Sequence, residues 1–500
     1  MTGSASFQSS VINMLKTAIG SGVLALPYAI KVLGYGNFFI ILISAACIAY
    51  FSVYILLLAC ESHTPQVYNY EQVSRLAFKN MLGTEYLGAR IAGLFIWLQV
   101  FGAVCSYTFL LKSTLPELLK FLLSRFSICV DNDAWYLSGV FIVACLLFLV
   151  IFPLSCAKKL DFLKYSSSIG FTAYTFTVMI IIAYKFIVGC EKLLGEGFGS
   201  PSQSDLTCPG YKPDNKTLDD WKSFEDGIKD LQNQAINNSN HGFCEAKMFN
   251  PINADFFKAI ASIFFAYNLH DTLLAIYENL QGRSKKRMMQ VSGTAFFIIV
   301  TIYALTAYFG YFTWYGTTVS DILLMYSKTS SESWAIFFAR LFVCVSILFS
   351  VPLVTFASRM AFFRAIDTGS DNVSESEHFI NDSEKAQELN QGRKSTVSEN
   401  SLNLTTTQTI TYNFIFLGSI FAIVTLLAGS LGQILFTTGL VSIHLYVVLP
   451  AFVWIFTFWP EINSIDKLMK NKSNLIYLSM CIFMIVIGEV FVVSTIKSKF

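Results

Sequence analysis

The run Asn13-Met14-Leu15-Lys16-Thr17-Ala18-Ile19-Gly20-Ser21-Gly22-Val23-Leu24-Ala25-Leu26-Pro27 decides how the rest of the chain reads. It sits inside an apolar stretch, Phe7 to Val32, long enough to cross a bilayer as a helix, for which about 20 apolar residues suffice. Two glycines lie in its middle, and glycine weakens a helix interior and lets the backbone unwind. Unwinding frees N–H and C=O groups that hydrocarbon cannot satisfy, so a bound solute or ion can serve as their partner. Asn13, Lys16 and Gly20 are spaced three and then four residues apart, on one helical face. Polar groups and a break at membrane depth mark a functional site. The glycines also fit a close helix-packing surface, as small residues in membrane helices often are, and the run alone leaves both readings open.

Outward from this run, the charges are fenced into short islands. No Asp, Glu, Lys or Arg occurs between Lys31 and Glu61, Arg90 and Lys112, Asp133 and Lys158, or Lys164 and Lys185. The same holds between Arg287 and Asp321, Arg340 and Arg359, and Glu399 and Glu461. Each gap reaches the roughly 18 uncharged, mainly apolar residues of a membrane span. A chain of 500 residues that is 54% hydrophobic and 14% charged is therefore an all-α polytopic membrane protein. A net charge of +2 offers no basic surplus for nucleic acid. The polar, uncharged start, Met1 to Ser10, lacks the basic n-region of a removable signal peptide.

Apolar runs read against turn signals give eleven helices: Phe7–Val32, Gly36–Cys60, Ile91–Leu111, Tyr136–Ile151, Tyr165–Val188, Phe256–Tyr277, Val291–Phe312, Trp334–Phe363, Tyr412–Leu427, Leu435–Phe458 and Leu475–Ser494. Gly429-Ser430-Leu431-Gly432 supplies the turn that divides the longest uncharged stretch. Arg75, Lys79, Lys158, Lys159, Arg283, Lys285, Lys286, Arg287, Lys467, Lys470 and Lys472 fall on the side of the N-terminus, and fewer basic residues fall opposite. The positive-inside bias then puts the N-terminus, residues 1–6, in the cytoplasm and the C-terminus outside or in a lumen. Helices one to eight occupy 7–366 and helices nine to eleven 409–500. A plasma or a vacuolar/lysosomal membrane fits equally, and a monomer is expected.

Two loops stand out. The outward loop, 189–253, is polar and holds Cys208 and Cys244, which an oxidising compartment would pair, leaving Cys190 at the membrane edge. Three free thiols in a flexible loop is the plainer alternative. Asn215 and Asn237 in the same loop are glycosylation acceptors. The cytoplasmic segment 367–408, rich in Ser, Asn, Glu and Thr, lacks the apolar surface to fold and reads as a disordered tether.

The sixth span breaks without glycine: Ala266-Tyr267-Asn268-Leu269-His270-Asp271-Thr272 gathers polar groups at depth. Asp271 is either a proton or cation site or the N-cap of a half-helix beginning at Thr272. Breaks in helices one and six are the signature of a five-plus-five inverted repeat with one added helix, binding its substrate between the breaks. Channel pore motifs and charge rings are lacking. No HExxH, CxxC or nucleophile motif points to an enzyme, and His270 and Asp271, being adjacent, diverge by about 100° on a helix.

The ordered motifs resemble the amino acid/auxin permease family, and within it the sodium-coupled neutral amino acid transporter branch. The first-helix run Asn13 to Ala29 carries most of the likeness. Leu98-Gln99, Gly102-Ala103, Ser106-Tyr107, Phe152-Pro153-Leu154-Ser155, His270, Ile276-Tyr277, Ser284-Lys285-Lys286-Arg287, Val351-Pro352 and Leu449-Pro450 continue it in order to about Phe458. The resemblance implies the LeuT-type fold and secondary active transport of amino acids without a bound cofactor. It places the substrate against Gly20, Ser21, Gly22, Ala266, Tyr267 and Asn268, with Gln99 and Tyr107 as further candidates, although Gln99 also fits a helix–helix hydrogen bond.

The chain departs from the branch in two places. Asp271 and Ala275 stand where the branch usually carries prolines, and Lys16 stands where it carries Asn. A sodium ion in such folds takes carbonyls near Ile19 and a hydroxyl at Ser350. Two cations about 4 Å apart repel by roughly 4 kcal/mol at an effective dielectric of 20, so an ammonium at Lys16 favours proton over sodium coupling. The alternative is that Lys16 snorkels to the inner surface. Asp271 keeps a cationic substrate open, and an amino acid sensor on a transporter scaffold would use 367–408.

Overall fold

The first apolar stretch is two helices. α1 (Phe7–Ala18) starts on Ser6, whose hydroxyl accepts the Ser9 N–H at 3.2 Å, and ends at Ile19 in extended geometry. α2 (Ser21–Leu33) leaves Gly20 at 56° to it. The structure is a computed structural model and describes residues 5–63, 68–126, 134–156, 166–187, 246–326, 334–366, 405–426, 429–464, 467 and 472–497. Cys208, Cys244, Asn215 and Asn237 lie outside the described residues, as does most of 367–408.

After α2 come α3 (Tyr35–Ser62), the short amphipathic α4 (Tyr70–Leu82), α5 (Glu85–Arg125), α6 (Gly139–Ser155) and α7 (Ser166–Ile187). The second half holds α8 (Ala254–Ala266), α9 (His270–Asn279), α10 (Lys285–Trp314), α11 (Trp334–Ile366), α12 (Thr406–Leu426), α13 (Leu431–Thr457) and α14 (Lys472–Lys497). No strand occurs among the described residues; an isolated parallel bridge joins Ala5 to Leu280.

Side-chain caps set several starts, because the first N–H groups of a helix lack internal partners. Asn253 accepts from Phe256 at 2.8 Å, Ser284 from Arg287 at 3.2 Å and Ser430 from Gln433 at 3.3 Å. Thr405 and Gln408 cap each other reciprocally, at 2.9 and 3.2 Å, and open α12. The expected disordered segment 367–408 therefore gives its last three residues to α12, a start set by local hydrogen bonds that composition does not register. At Gly34, φ is +80° and a Cβ would sit 2.7 Å from the Met248 carbonyl oxygen, so the α2–α3 turn requires glycine. Tyr35, Gly36 and Asn250 tie that turn to 247–250 by backbone hydrogen bonds of 2.8–3.1 Å.

Nine helices among the described residues, counting α8 and α9 together, are long and apolar enough to cross a membrane. The α1–α2 pair makes a tenth, and α6 is shorter. The chain is an all-α polytopic membrane protein. The fourth expected span is thus less than a full-length helix: a 3₁₀ turn at Trp135–Leu137 precedes it, and a π segment at Leu146–Ile151 interrupts it. Elsewhere the helices outrun their apolar cores. The expected Ile91–Leu111 is the middle of the 41-residue α5, because hydropathy marks what meets hydrocarbon and not where the helix ends.

Burial sorts the bundle. The α8–α9 and α13 windows are each 72% buried, against 22% for α14. α1, α2, α8 and α9 pack among α3, α5, α7, α10 and α13, and α14 lies outside against α13 and α8. Both breaks sit in this enclosed core.

Candidate functional site

The two breaks face each other. A Cβ on Gly22 would lie 3.1 Å from the Ala266 Cβ and 3.2 Å from the Phe265 ring, so glycine lets the second break come close. Gly20 faces the Tyr107 hydroxyl of α5, 2.6 Å from where its Cβ would be. Ser106 donates its hydroxyl proton to the Ala103 carbonyl at 2.7 Å, which makes Ser21 the donor in the 2.6 Å bond between the two serines. That bond pins the start of α2 to α5.

One residue that sequence reasoning missed joins the breaks. The Tyr303 hydroxyl of α10, fully buried, lies 2.8 Å from the Ala18 carbonyl and 2.6 Å from the Ala266 carbonyl. These are carbonyls that a helix break leaves without an i+4 partner. A phenol has one proton, so it serves one of them at a time and leaves the other able to accept from a ligand. A second tyrosine, Tyr446 of α13, donates to the Phe264 carbonyl just before the second break. Tyrosine is frequent in this chain, with 23 copies, so neither residue announces itself in the sequence. Tyr303→Phe removes a donor from two buried acceptors, at a cost of about 1–3 kcal/mol. The empty variant is expected to melt lower than the wild type, and a bound ammonium to recover more of the loss than it adds to the wild type. Melting curves with and without an amino acid check this.

The other expected residues fall into three groups. Gly20, Ser21, Gly22, Ala266 and Tyr107 meet at the breaks. Tyr267 offers only its backbone there, because its hydroxyl donates to the Leu42 carbonyl of α3 at 3.1 Å. The Asn268 N–H donates to the Phe265 carbonyl at 3.2 Å, while its buried side-chain carbonyl has no partner among the described residues. Gln99 accepts from Ser442 of α13 at 2.9 Å, the helix–helix bond allowed for it.

Lys16 turns into the bundle. Its ammonium donates to Ser346 of α11 at 2.8 Å and lies 5.4 Å from the Tyr174 ring of α7. Gly170 makes room for it: a Cβ there would be 2.4 Å from the lysine's Cε. The snorkelling alternative is therefore not the arrangement adopted. Ser350, the expected sodium hydroxyl, donates to the Ser346 carbonyl at 2.7 Å, so Lys16 and Ser350 converge on one turn of α11. Ile19 caps the C-terminal end of α1.

Asp271 does not cap a helix starting at Thr272. α9 begins one residue before Asp271, at His270, with Leu269 in the cap position and no side-chain cap bond. Asp271 sits in the first turn, where its charge complements the helix dipole, and accepts the Thr272 N–H at 3.0 Å. A residue in the first turn serves the same electrostatics as a cap, which is why spacing alone misplaced it. The fully buried His270 stacks on Tyr446 at 5.3 Å.

A cavity of about 670 Å³ flanks the breaks on the face opposite the N-terminus, lined by Ala25, Tyr28, Gly102, Cys105, Ser262 and Thr438 among others. The N-terminal face is latched. Ala5 donates to Asn279 and accepts from Gln281, both at 2.9 Å, so the start of the chain is tied to the end of α9. Tyr277 donates to Glu61 at 2.7 Å, Lys285 approaches Glu61 at 3.6 Å, and Arg283 lies 4.1 Å over Tyr68. On α4, burial pushes the Glu71 carboxyl up, opposed by Arg364 at 3.9 Å. Between α10 and α11, burial raises Asp321 to about 6, against the pull of its bonds from Ser113 and the Leu323 N–H and of nearby Arg340.

Comparisons with known proteins show the family and the fold. A family profile described as "Transmembrane amino acid transporter protein" matches residues 3–204 and 234–495. A sodium-coupled neutral amino acid symporter 2 of Danio rerio is 29% identical over 71% of this chain and 63% of its own. A sodium-coupled neutral amino acid transporter 4 of Homo sapiens is 30% identical over 71% of this chain and 66% of its own. The matches thus span slightly less than two thirds of these relatives' lengths. The crystal structure of MhsT in complex with L-phenylalanine covers 100% of both chains, with a TM-score of 0.51 at 13% identity, a likeness of fold.

Proposed function

The chain belongs to the transmembrane amino acid transporter family, and from that premise we propose that it carries small or medium neutral amino acids by alternating access, coupled to protons. The observation that carries this reading is the pair of facing breaks. The N-terminal end of α2, with its unpaired N–H groups and positive dipole end, suits a carboxylate. The Ala18 and Ala266 carbonyls, which share one phenolic proton, suit an ammonium. The cavity opposite the N-terminus is then the approach from the outside or the lumen, and the Ala5–Leu280 bridge is the closed cytoplasmic end.

Coupling to protons is supported by Lys16. Its ammonium rests on the turn of α11 that would otherwise offer Ser350 to sodium. A fixed positive charge there competes with a sodium ion, and a lysine held away from water can exchange its own proton instead. Asp271 favours one second reading, transport of cationic amino acids, since a carboxylate near the breaks can pair with a basic side chain.

Uptake of radiolabelled amino acids into vesicles tests both readings. Transport is expected to persist when choline replaces sodium and to rise with a proton gradient directed toward the N-terminal face. Lys16→Asn is expected to restore part of a sodium dependence. Uptake by the unmodified protein that vanishes without sodium overturns the coupling. Uptake of Lys or Arg that Asp271→Asn alone abolishes shifts the substrate to the cationic class.

A further inference from the structure

α14 carries one acidic residue within its apolar length, Glu489. An ionised carboxylate facing hydrocarbon costs several kcal/mol unless it is paired, and this one is 48% exposed on the helix most open to lipid. Its partner is His444 of α13, with Nε2 3.5 Å from the Glu489 Oε1. His444 lies midway between the ends of α13, Leu431 and Thr457, so the pair sits near the middle of that span.

The hydrogen bonding of the imidazole decides its protons. Nδ1 is 2.9 Å from the Leu440 carbonyl oxygen. A carbonyl only accepts, so Nδ1 carries a hydrogen and, in the neutral ring, Nε2 is a lone pair. That lone pair faces a carboxylate oxygen, which also only accepts. Two acceptors at this distance repel, and one proton between them turns the contact into a bond. Phe95 of α5 stacks on the ring at 5.3 Å and 6°, shielding one face from water. We propose that His444 and Glu489 form a membrane-embedded site for one proton, separate from the amino acid site and from Lys16.

The site touches the transport machinery through a π turn. His444 opens the π segment His444–Val448, a form of helix often found at functional positions. Within that turn, the Leu445 carbonyl accepts from Tyr70 of α4 at 2.8 Å. Tyr446 stacks on His270 and donates to Phe264 ahead of the second break. The titratable groups recorded against the turn among the described residues are thus Glu489 from α14, His270 from α9, Tyr70 from α4, Tyr267 at the second break and Tyr303 from α10. α5 contributes uncharged Phe95. Loss of the proton sets the two acceptors against each other across α13 and α14 and loosens the turn that holds the second break.

Melting temperature against pH, measured on purified protein, tests this without any assumption about transport. One proton bonding Nε2 to the Glu489 oxygen is held in the folded state alone, so the wild-type melting temperature is expected to fall from acid to alkaline buffer. The expected fall is of the order of 1–2 °C. Glu489→Gln supplies an amide N–H to Nε2 without taking up a proton, and His444→Gln supplies one to the carboxylate; each should remove this step. A wild-type melting temperature that is flat across that range overturns the proposal, as does a step that persists in either variant. Uptake follows the same logic. The ratio of rates at the acid and alkaline ends is expected to be smaller in Glu489→Gln than in the wild type, while the proton dependence that Lys16 supplies remains. That variant should keep its sodium independence if Lys16 governs coupling.

Discussion

Replacement of Gly20 by alanine is expected to cut amino acid uptake by about ten- to a hundredfold, and removal of the Tyr107 hydroxyl in the same chain to restore part of it. The added Cβ would lie 2.6 Å from that oxygen but 3.4 Å from the nearest ring carbons. Overpacking of this kind costs roughly 1–3 kcal/mol, which is about 5- to 150-fold in an equilibrium. The clash is with one atom at the end of one side chain, so Tyr107→Phe relieves it and leaves an ordinary contact. Initial uptake rates of Gly20→Ala, Tyr107→Phe and the double variant, normalised to protein in the membrane, check the prediction. A double variant no better than Gly20→Ala would place the glycine's importance in its backbone and not in this contact.

Gly439→Ala is expected to do more, and without remedy. Its Cβ would fall 2.0 Å from the Ala261 carbonyl oxygen, 2.5 Å from the carbonyl carbon and 3.1 Å from the Cα. All three are backbone atoms of α8, so no rotamer can yield; α8 and α13 must separate. Both helices are among the most buried in the bundle, and α8 ends at the second break. Parting them also strains the hydrogen bond from Tyr446 to Phe264. The expected outcome is a cost at or above the roughly 3 kcal/mol upper end for overpacked cores, seen as loss of monodisperse protein in detergent as well as of uptake. A variant that purifies and melts like the wild type would show that the two helices can slide apart freely.

Much of this was legible from the chain alone, for an identifiable reason. Hydrocarbon tolerates neither free charge nor free backbone, so the uncharged gaps mark the spans and Gly20-Ser21-Gly22 marks a break. The polar run Asn268 to Thr272 marks the second break, even with Asp271 and Ala275 in place of proline. Those constraints act on the residues themselves, one stretch at a time. What lay beyond them depends on pairs of residues far apart in the chain. Whether Lys16 would reach an aqueous surface or the interior depended on Ser346, Tyr174 and the space over Gly170, on two other helices. Tyr303 and Tyr446 look like any other tyrosine in an apolar span until the fold sets their hydroxyls on the carbonyls of the breaks. Gln99 and Tyr267, polar and close to the motifs, were drawn away by Ser442 and the Leu42 carbonyl. His444 and Glu489, 45 positions apart, became a pair only when α14 packed on α13. The membrane, acting on each segment separately, wrote the spans and the breaks into the sequence. Which side chain answers each freed carbonyl, and where each buried charge rests, is a property of three-dimensional contact, and only the packed bundle decided it.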